Sequence, residues 1–243
     1  EVAENITLTG MKMNECRPGD ILEGNAITLL VTQIGKKCHG SGCAIYTETG
    51  ACVMPKEGIF AKVLRGGTLK AGDELIYKPS VWKAGVITLS NRASAGIYED
   101  KSGPHLIHTL ERYAAGINRK IDFKYHLIPD SEEHLQAKLQ ELLNQNIDMV
   151  FTTGGTGIGP HDITPDVVKT FLDKEIPGIM EFIRVKYGAQ KPNALLSRGV
   201  AGIAGDTLIF TLPGSLGAVT EYLAEISPLL EHLIYMRMGL DTH

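Results

Sequence analysis

A chain of 243 residues with 24 lysines and arginines against 28 aspartates and glutamates has a formal charge of −4, which leaves no basic field for nonspecific nucleic-acid binding. Its 43% hydrophobic and 21% charged residues suit one large folded domain or two modest ones and exclude a low-complexity chain. No apolar run reaches bilayer length and no secretory pattern opens the chain, so neither membrane nor export is expected.

Glu1 opens the chain in place of Met, as in a fragment or a processed form. The four cysteines, Cys16, Cys38, Cys43 and Cys52, all fall in the first quarter, which points to two modules and to a reduced, intracellular setting. Residues 26–32 and 58–64 read as strands, and residues 18–22 and 71–76 as turn-then-strand units. No long amphipathic helix falls within residues 1–78, so a small all-β barrel or barrel fragment is expected. Residues 79–83 read as a linker, because Pro79 interrupts any ladder.

From residue 84 to 243 strands and helices alternate. A short buried strand, Gly85-Val86-Ile87-Thr88-Leu89, precedes a helix carrying Leu106, Ile107, Leu110 and Tyr113. A strand near 121–128 leads to a helix with Leu135, Leu139, Leu142 and Leu143 on one face. A third strand, Met149-Val150-Phe151-Thr152, runs into a glycine loop, and Thr164-Pro165 has the N-cap and N1 form of a helix start. Another helix begins near Pro177. Residues 198–204 and 207–212 pair about Gly205-Asp206, and a last helix follows Ser215, restarting at Pro228 with Ser227 as its cap. This alternation predicts a doubly wound α/β domain with a mostly parallel sheet.

The loop after the third strand holds four glycines in six residues, Gly154 to Gly159. It has no Gly-Lys-Ser/Thr, and its glycines do not make the dinucleotide fingerprint. What remains, Thr152-Thr153-Gly154-Gly155-Thr156-Gly157, offers backbone N–H groups and hydroxyls for an anion nest. The bland alternative is a tight connection whose glycines supply positive φ; so many glycines among threonines favour the nest. The nearby acids have plain readings too. Asp130 begins Asp-Ser-Glu-Glu and suits a helix cap, Asp162 suits an Asx-turn, and Asp166 suits a helix first turn. Yet Asp130 follows the second strand and Asp162 the third, which brings both to one sheet edge. Two carboxylates beside a phosphate require a divalent cation between them, for which Mg²⁺ is expected.

The segments Thr88-Leu89-Ser90-Asn91-Arg92-Ala93-Ser94, Ile97-Tyr98-Glu99-Asp100, Leu127-Ile128-Pro129-Asp130, the glycine loop with Asp162-Ile163-Thr164-Pro165-Asp166, Ser197-Arg198 and Leu212-Pro213-Gly214-Ser215 share one order and spacing. Through them residues 84–243 resemble the molybdopterin adenylyltransferase (molybdopterin-binding) family of molybdenum-cofactor biosynthesis. The resemblance implies Mg²⁺-dependent transfer of AMP from ATP to the terminal phosphate of molybdopterin, with release of pyrophosphate. It implies a cytoplasmic homotrimer working beside molybdenum-insertion proteins. Carried over, Asp130 and Asp162 are the catalytic and metal-holding acids. Ser90, Thr153, Gly154, Gly155, Thr156, Gly157, Asp166, Ser197 and Arg198 would bind substrate or nucleotide, with Pro213, Gly214 and Ser215 as a second wall. Two departures stand out: Asn91 where the family carries aspartate, and Leu216-Gly217 where proline and a basic residue are common.

The first module resembles the later half of a MOSC domain, through Val31-Thr32-Gln33-Ile34-Gly35-Lys36-Lys37-Cys38-His39, Met54-Pro55-Lys56-Glu57-Gly58-Ile59-Phe60 and Leu64-Arg65-Gly66-Gly67. That resemblance implies Cys38 as a candidate sulfur carrier, in a domain whose upstream pattern is missing. Zinc binding by Cys38, His39, Cys43 and Cys52 is the weaker reading, because no knuckle spacing occurs; ordinary thiols are the plainest one. For the whole chain, a non-catalytic molybdopterin carrier or scaffold is the alternative to the enzyme. A nicotinamide-nucleotide recycling hydrolase on a related fold accounts for the glycine loop but not for the Ser-Asn-Arg-Ala-Ser segment.

Overall fold

The computed structural model describes residues 6–11, 15–35 and 58–240. The chain divides into two compact units, Glu1–Ser80 with His232–His243, and Val81–Glu231. The first holds the expected all-β unit as an antiparallel sheet of β1 (Ile21–Glu23), β2 (Thr28–Ile34), β3 (Ile59–Arg65) and β4 (Ile76–Lys78), in the order β3-β2-β1-β4. Leu22, Ile27 and Leu29 form its small core, with Leu8, Met11, Leu69, Leu75 and Tyr77 packed against them. The turn before β1 is tied by the buried Asp20 carboxylate, which accepts from Arg17 N (2.7 Å), the Tyr77 hydroxyl (2.7 Å) and Ser80 N (2.9 Å). Cys16 is buried, and burial, followed by the nearby Asp20 charge, pushes its thiol up to about 11, a value that suits an inert core thiol. Cys38, Cys43 and Cys52 lie outside the described residues.

The second unit is built on a six-stranded sheet. Its strands are β5 (Val81–Leu89), β6 (Lys120–Ile128), β7 (Met149–Thr153), β8 (Lys174–Glu175), β9 (Ala201–Ala204) and β10 (Thr207–Leu212), ordered β6-β5-β7-β10-β9-β8. The first four in that order run parallel, while β9 pairs antiparallel with β10 and β8 antiparallel with β9. Between them run α1 (Asn91–Ser94), α2 (Ser102–Gly116), α3 (Glu132–Leu143), α4 (Thr164–Lys169), α5 (Pro177–Gly188) and α6 (Leu216–Arg237). Strands covered on both faces read as apolar runs, and β7 and β10 are buried at every position. Phe151 and Phe210, register partners on these strands, stack with centroids 5.1 Å apart. The predicted leucine face of α3 goes inward, with Leu135, Leu139 and Leu142 at 0% exposure.

Three expectations change. Val81, Trp82 and Lys83, assigned to the linker, open β5 and pair with Lys120, Ile121 and Asp122; Pro79 ends the preceding segment without preventing a strand two residues on. Thr164 does not cap α4. Ile163 holds that position, and the buried Thr164 hydroxyl donates back to Gly154 O (2.9 Å). The last helix does not restart at Pro228, which lies inside α6. A proline removes one backbone bond, but the buried face of Tyr222, Leu223, Ile226 and Leu230 runs through it, and among the described residues the Ser227 hydroxyl meets no partner that would make it a cap.

Candidate active site

The parallel order places the site. The chain leaves β5 on one side to form β6 and returns on the other side as β7. The loops after β5 and β7 therefore diverge at their carboxyl ends, which is where open α/β sheets bind ligands. There, a cleft of about 360 Å³ is lined by Leu89, Ser90, Asn91, Arg92, Asp130, Gly155, His161 and Asp162. Four residues named from sequence, Ser90, Asp130, Gly155 and Asp162, meet in it.

Asp130 is not the helix cap, because Ser131 takes that role for α3. The Asp130 side chain turns instead to the loop after β5. Asn91 N donates to Asp130 Oδ2 (2.9 Å), and Asp130 N donates to Asn91 Oδ1 (3.0 Å). This reciprocal pair gives Asn91 a structural purpose that an aspartate could share only by adding a second negative charge beside Asp130. Asp162 does not make the expected Asx-turn, in which the acid accepts from two residues on; its Oδ2 accepts from Gly159 N, three residues back (2.8 Å), while its own N–H donates to Gly159 O (3.1 Å). A Cβ on Gly157 would stand 2.7 Å from that same oxygen, so the glycine there makes room for the carboxylate. In both acids Oδ1 accepts no hydrogen bond from the described residues.

Gly154 turns the loop at φ +107°, where a Cβ would meet Leu89 O at 2.4 Å. Its N–H donates to Leu212 O (3.0 Å), and Thr153 Oγ1 donates to Pro213 O (2.9 Å). Thr153 is buried, so its hydroxyl ties the two walls together. The N–H groups of Gly155, Thr156 and Gly157 meet no acceptor among the described residues, as a nest requires. Gly214 lies beside Gly154, a Cβ on it falling 3.4 Å from Gly154 Cα, while Ser215 Oγ accepts from Ala218 N (3.3 Å) in the first turn of α6.

The other named residues lie elsewhere. Asp166, Ser197 and Arg198 line a second cavity of about 430 Å³ with Lys169, Met180 and Arg184. Arg198 spends four of its five donors on the protein: Nε donates to Gly157 O (2.7 Å), one terminal nitrogen to both Asp166 oxygens (2.9 and 2.8 Å), the other to Asp162 O. It clamps the glycine loop from behind. Ser197 Oγ accepts from the Tyr222 hydroxyl (2.9 Å).

Sequence reasoning did not single out Arg92, His161 or Asp100. Asp100 is the hub of the wall behind Ser90, accepting from Thr88 Oγ1 (2.8 Å), Tyr125 OH (2.7 Å), Ser102 N and Oγ (2.9 and 2.8 Å) and Gly103 N (3.1 Å). Burial raises its pKa, but the bonds from Tyr125, Thr88 and Ser102 outweigh burial and hold the carboxyl below its ordinary range. Burial and the Asp100 bond push the Tyr125 phenol up to about 12. In the sequence Asp100 stands only as the last residue of the segment Ile97-Tyr98-Glu99-Asp100, with no role attached.

The site is thus a switch-point cleft of an open α/β sheet, lined by two acids and by a glycine loop whose N–H groups at 155–157 meet no acceptor among the described residues. The model of the family described as probable molybdopterin binding domain matches residues 85–232, and the chain belongs to that family. It is 37% identical over 163 residues to gephyrin of Dictyostelium discoideum, covering 65% of this chain but spanning only 23% of that protein's length. It is 34% identical over 156 residues to the molybdopterin adenylyltransferase of Helicobacter pylori strain J99, covering 64% of this chain and 87% of that one. The crystal structure of the tungsten cofactor synthesizing protein MoaB from Pyrococcus furiosus superposes with a TM-score of 0.58 at 34% identity, covering 65% of this chain and 98% of that one. Among the described residues no helix is long and apolar enough to cross a membrane.

Proposed function

We propose that this chain acts in molybdenum-cofactor biosynthesis as a molybdopterin adenylyltransferase. An oxygen of the molybdopterin terminal phosphate attacks the α-phosphorus of ATP, the bond to the β-phosphate oxygen breaks, and pyrophosphate leaves. The observation that carries this reading is the cleft in which Asp130 and Asp162 face the glycine loop. A relative matched along 87% of its length and named for this reaction supports it.

The donor set fits Mg²⁺. Two carboxylates, each with one oxygen spent on a backbone N–H and the other unbonded among the described residues, suit a cation that takes few protein oxygens and completes its shell with phosphate and water. When bound, Mg²⁺ would neutralise charge on the reacting phosphates. The chain's own work is positioning: the pair Asn91–Asp130 fixes one acid, the turn at Gly159 fixes the other, and the loop N–H groups point at the anion.

Purified chain mixed with molybdopterin, ATP and Mg²⁺ is expected to release pyrophosphate and form adenylylated molybdopterin, with Asp162→Asn losing turnover while keeping its fold. Undiminished turnover in that variant sinks the role of Asp162. Tight molybdopterin binding with no pyrophosphate, in the unmodified chain, would instead make the protein a carrier.

A further inference from the structure

We propose that Arg92 is a substrate-binding residue of this cleft, donating to phosphate oxygens of the ATP polyphosphate chain. The identity of the ligand as ATP rests on the adenylyl-transfer reading; the assignment of Arg92 to a phosphate does not. Arg92 lines the cleft together with Ser90, Asn91, Asp130, Gly155 and Asp162. Its guanidinium lies over the Tyr98 ring, 5.1 Å from the centroid. That contact uses the ring face and consumes none of the five N–H donors. Among the described residues the Arg92 side chain has no hydrogen bond and no ion pair, although two carboxylates line the same cleft. Its chain neighbour Asn91 is neutral, so no adjacent acid competes for it.

The ring that carries Arg92 is itself held. The Tyr98 hydroxyl and Ser90 Oγ share a hydrogen bond (2.9 Å), and Ser90 Oγ also accepts from Ala93 N (3.2 Å) as the cap of α1. The loop after β5 thus presents a pre-oriented cation with open donors, and the loop after β7 brings Gly155, whose N–H meets no acceptor among the described residues. Donors arriving from two sides of one cleft suit an elongated, multiply charged phosphate chain better than a single small anion, and guanidinium is the cation best matched to phosphate oxygens.

The test titrates the full chain, in Mg²⁺, with inorganic tripolyphosphate, with ATP and with molybdopterin, by calorimetry. Arg92→Ala is expected to weaken tripolyphosphate and ATP about tenfold, the loss of one charge-assisted contact, and to leave molybdopterin affinity unchanged. Arg92→Lys should recover part of the loss, and Tyr98→Leu should reproduce part of it. The melting temperature should not move in Arg92→Ala, because the side chain is exposed. Equal tripolyphosphate and ATP affinity in the wild type and Arg92→Ala overturns the proposal, as does a loss confined to molybdopterin or a wild type that binds neither tripolyphosphate nor ATP. If no adenylyl transfer is seen but the tenfold loss is, the reaction assignment fails and Arg92 stands. If transfer occurs with an unchanged KM for ATP in Arg92→Ala, the reverse holds.

Discussion

Two arginines flank the glycine loop, and their surroundings assign them opposite work. Arg198 bonds Gly157 O, Asp162 O and both oxygens of Asp166, so it shapes the loop and has little left to offer a ligand. Arg92, among the described residues, meets only an aromatic ring with its side chain. Proximity to a site does not identify a ligand-binding cation; the state of its donors does. The same test separates the acids, since Asp100 accepts five bonds from the protein whereas Asp130 and Asp162, among the described residues, each keep an oxygen without one.

That contrast can be broken by substitution. The largest effect belongs to the acids of the cleft: Asp162→Asn should cut kcat at least about a hundredfold, the scale for removing a group that stabilises transition-state charge, with thermal stability held near the wild type. Arg198→Ala should act on the scaffold, lowering stability by about 2 kcal/mol through lost charged hydrogen bonds and reducing activity with it. A melting curve unchanged by Arg198→Ala would contradict the clamp.

Asp100→Asn is expected to cost about 1–2 kcal/mol near neutral pH, because an amide accepts fewer bonds than a carboxylate. The sign with pH follows from the lowered carboxyl. Its contribution is complete above the ordinary value of 3.8 and disappears as pH falls through the folded value. Denaturant titrations of both proteins should therefore converge in acid; a gap that widens there contradicts the assignment. The smallest effect should come from Tyr98→Phe, within about 0.5 kcal/mol of wild-type stability as for most exposed substitutions, since the ring under Arg92 survives.

Much of this was legible in the chain. The apolar runs at 85–89 and 149–152, the leucine face of residues 135–143 and the turn at Gly205-Asp206 each announce an element by period or turn chemistry, and the loops that follow them gather Asp130 and Asp162. What escaped was decided by contacts distant in sequence. Thr164 has the composition of a cap, but Gly154 O, ten residues away, takes its hydroxyl. Pro228 looks like a restart, but burial of Tyr222, Leu223, Ile226 and Leu230 carries the helix past it. Ser197 and Arg198, expected to bind substrate or nucleotide, line a second cavity, from which Arg198 bonds the glycine loop at Gly157 O. In the sequence Arg92 is an ordinary member of a short motif and Asn91 a departure that loses a carboxylate; Tyr98 beside the one and Asp130 beside the other give each its place.

The most direct measurement follows the fate of label. Molybdopterin and Mg²⁺ are mixed with the chain and with ATP labelled at either the α- or the γ-phosphate, and the pterin product is isolated. The α-label should appear on molybdopterin in step with pyrophosphate, while the γ-label leaves with the pyrophosphate. Molybdopterin that stays bound and unlabelled, or that acquires the γ-label, would contradict adenylyl transfer.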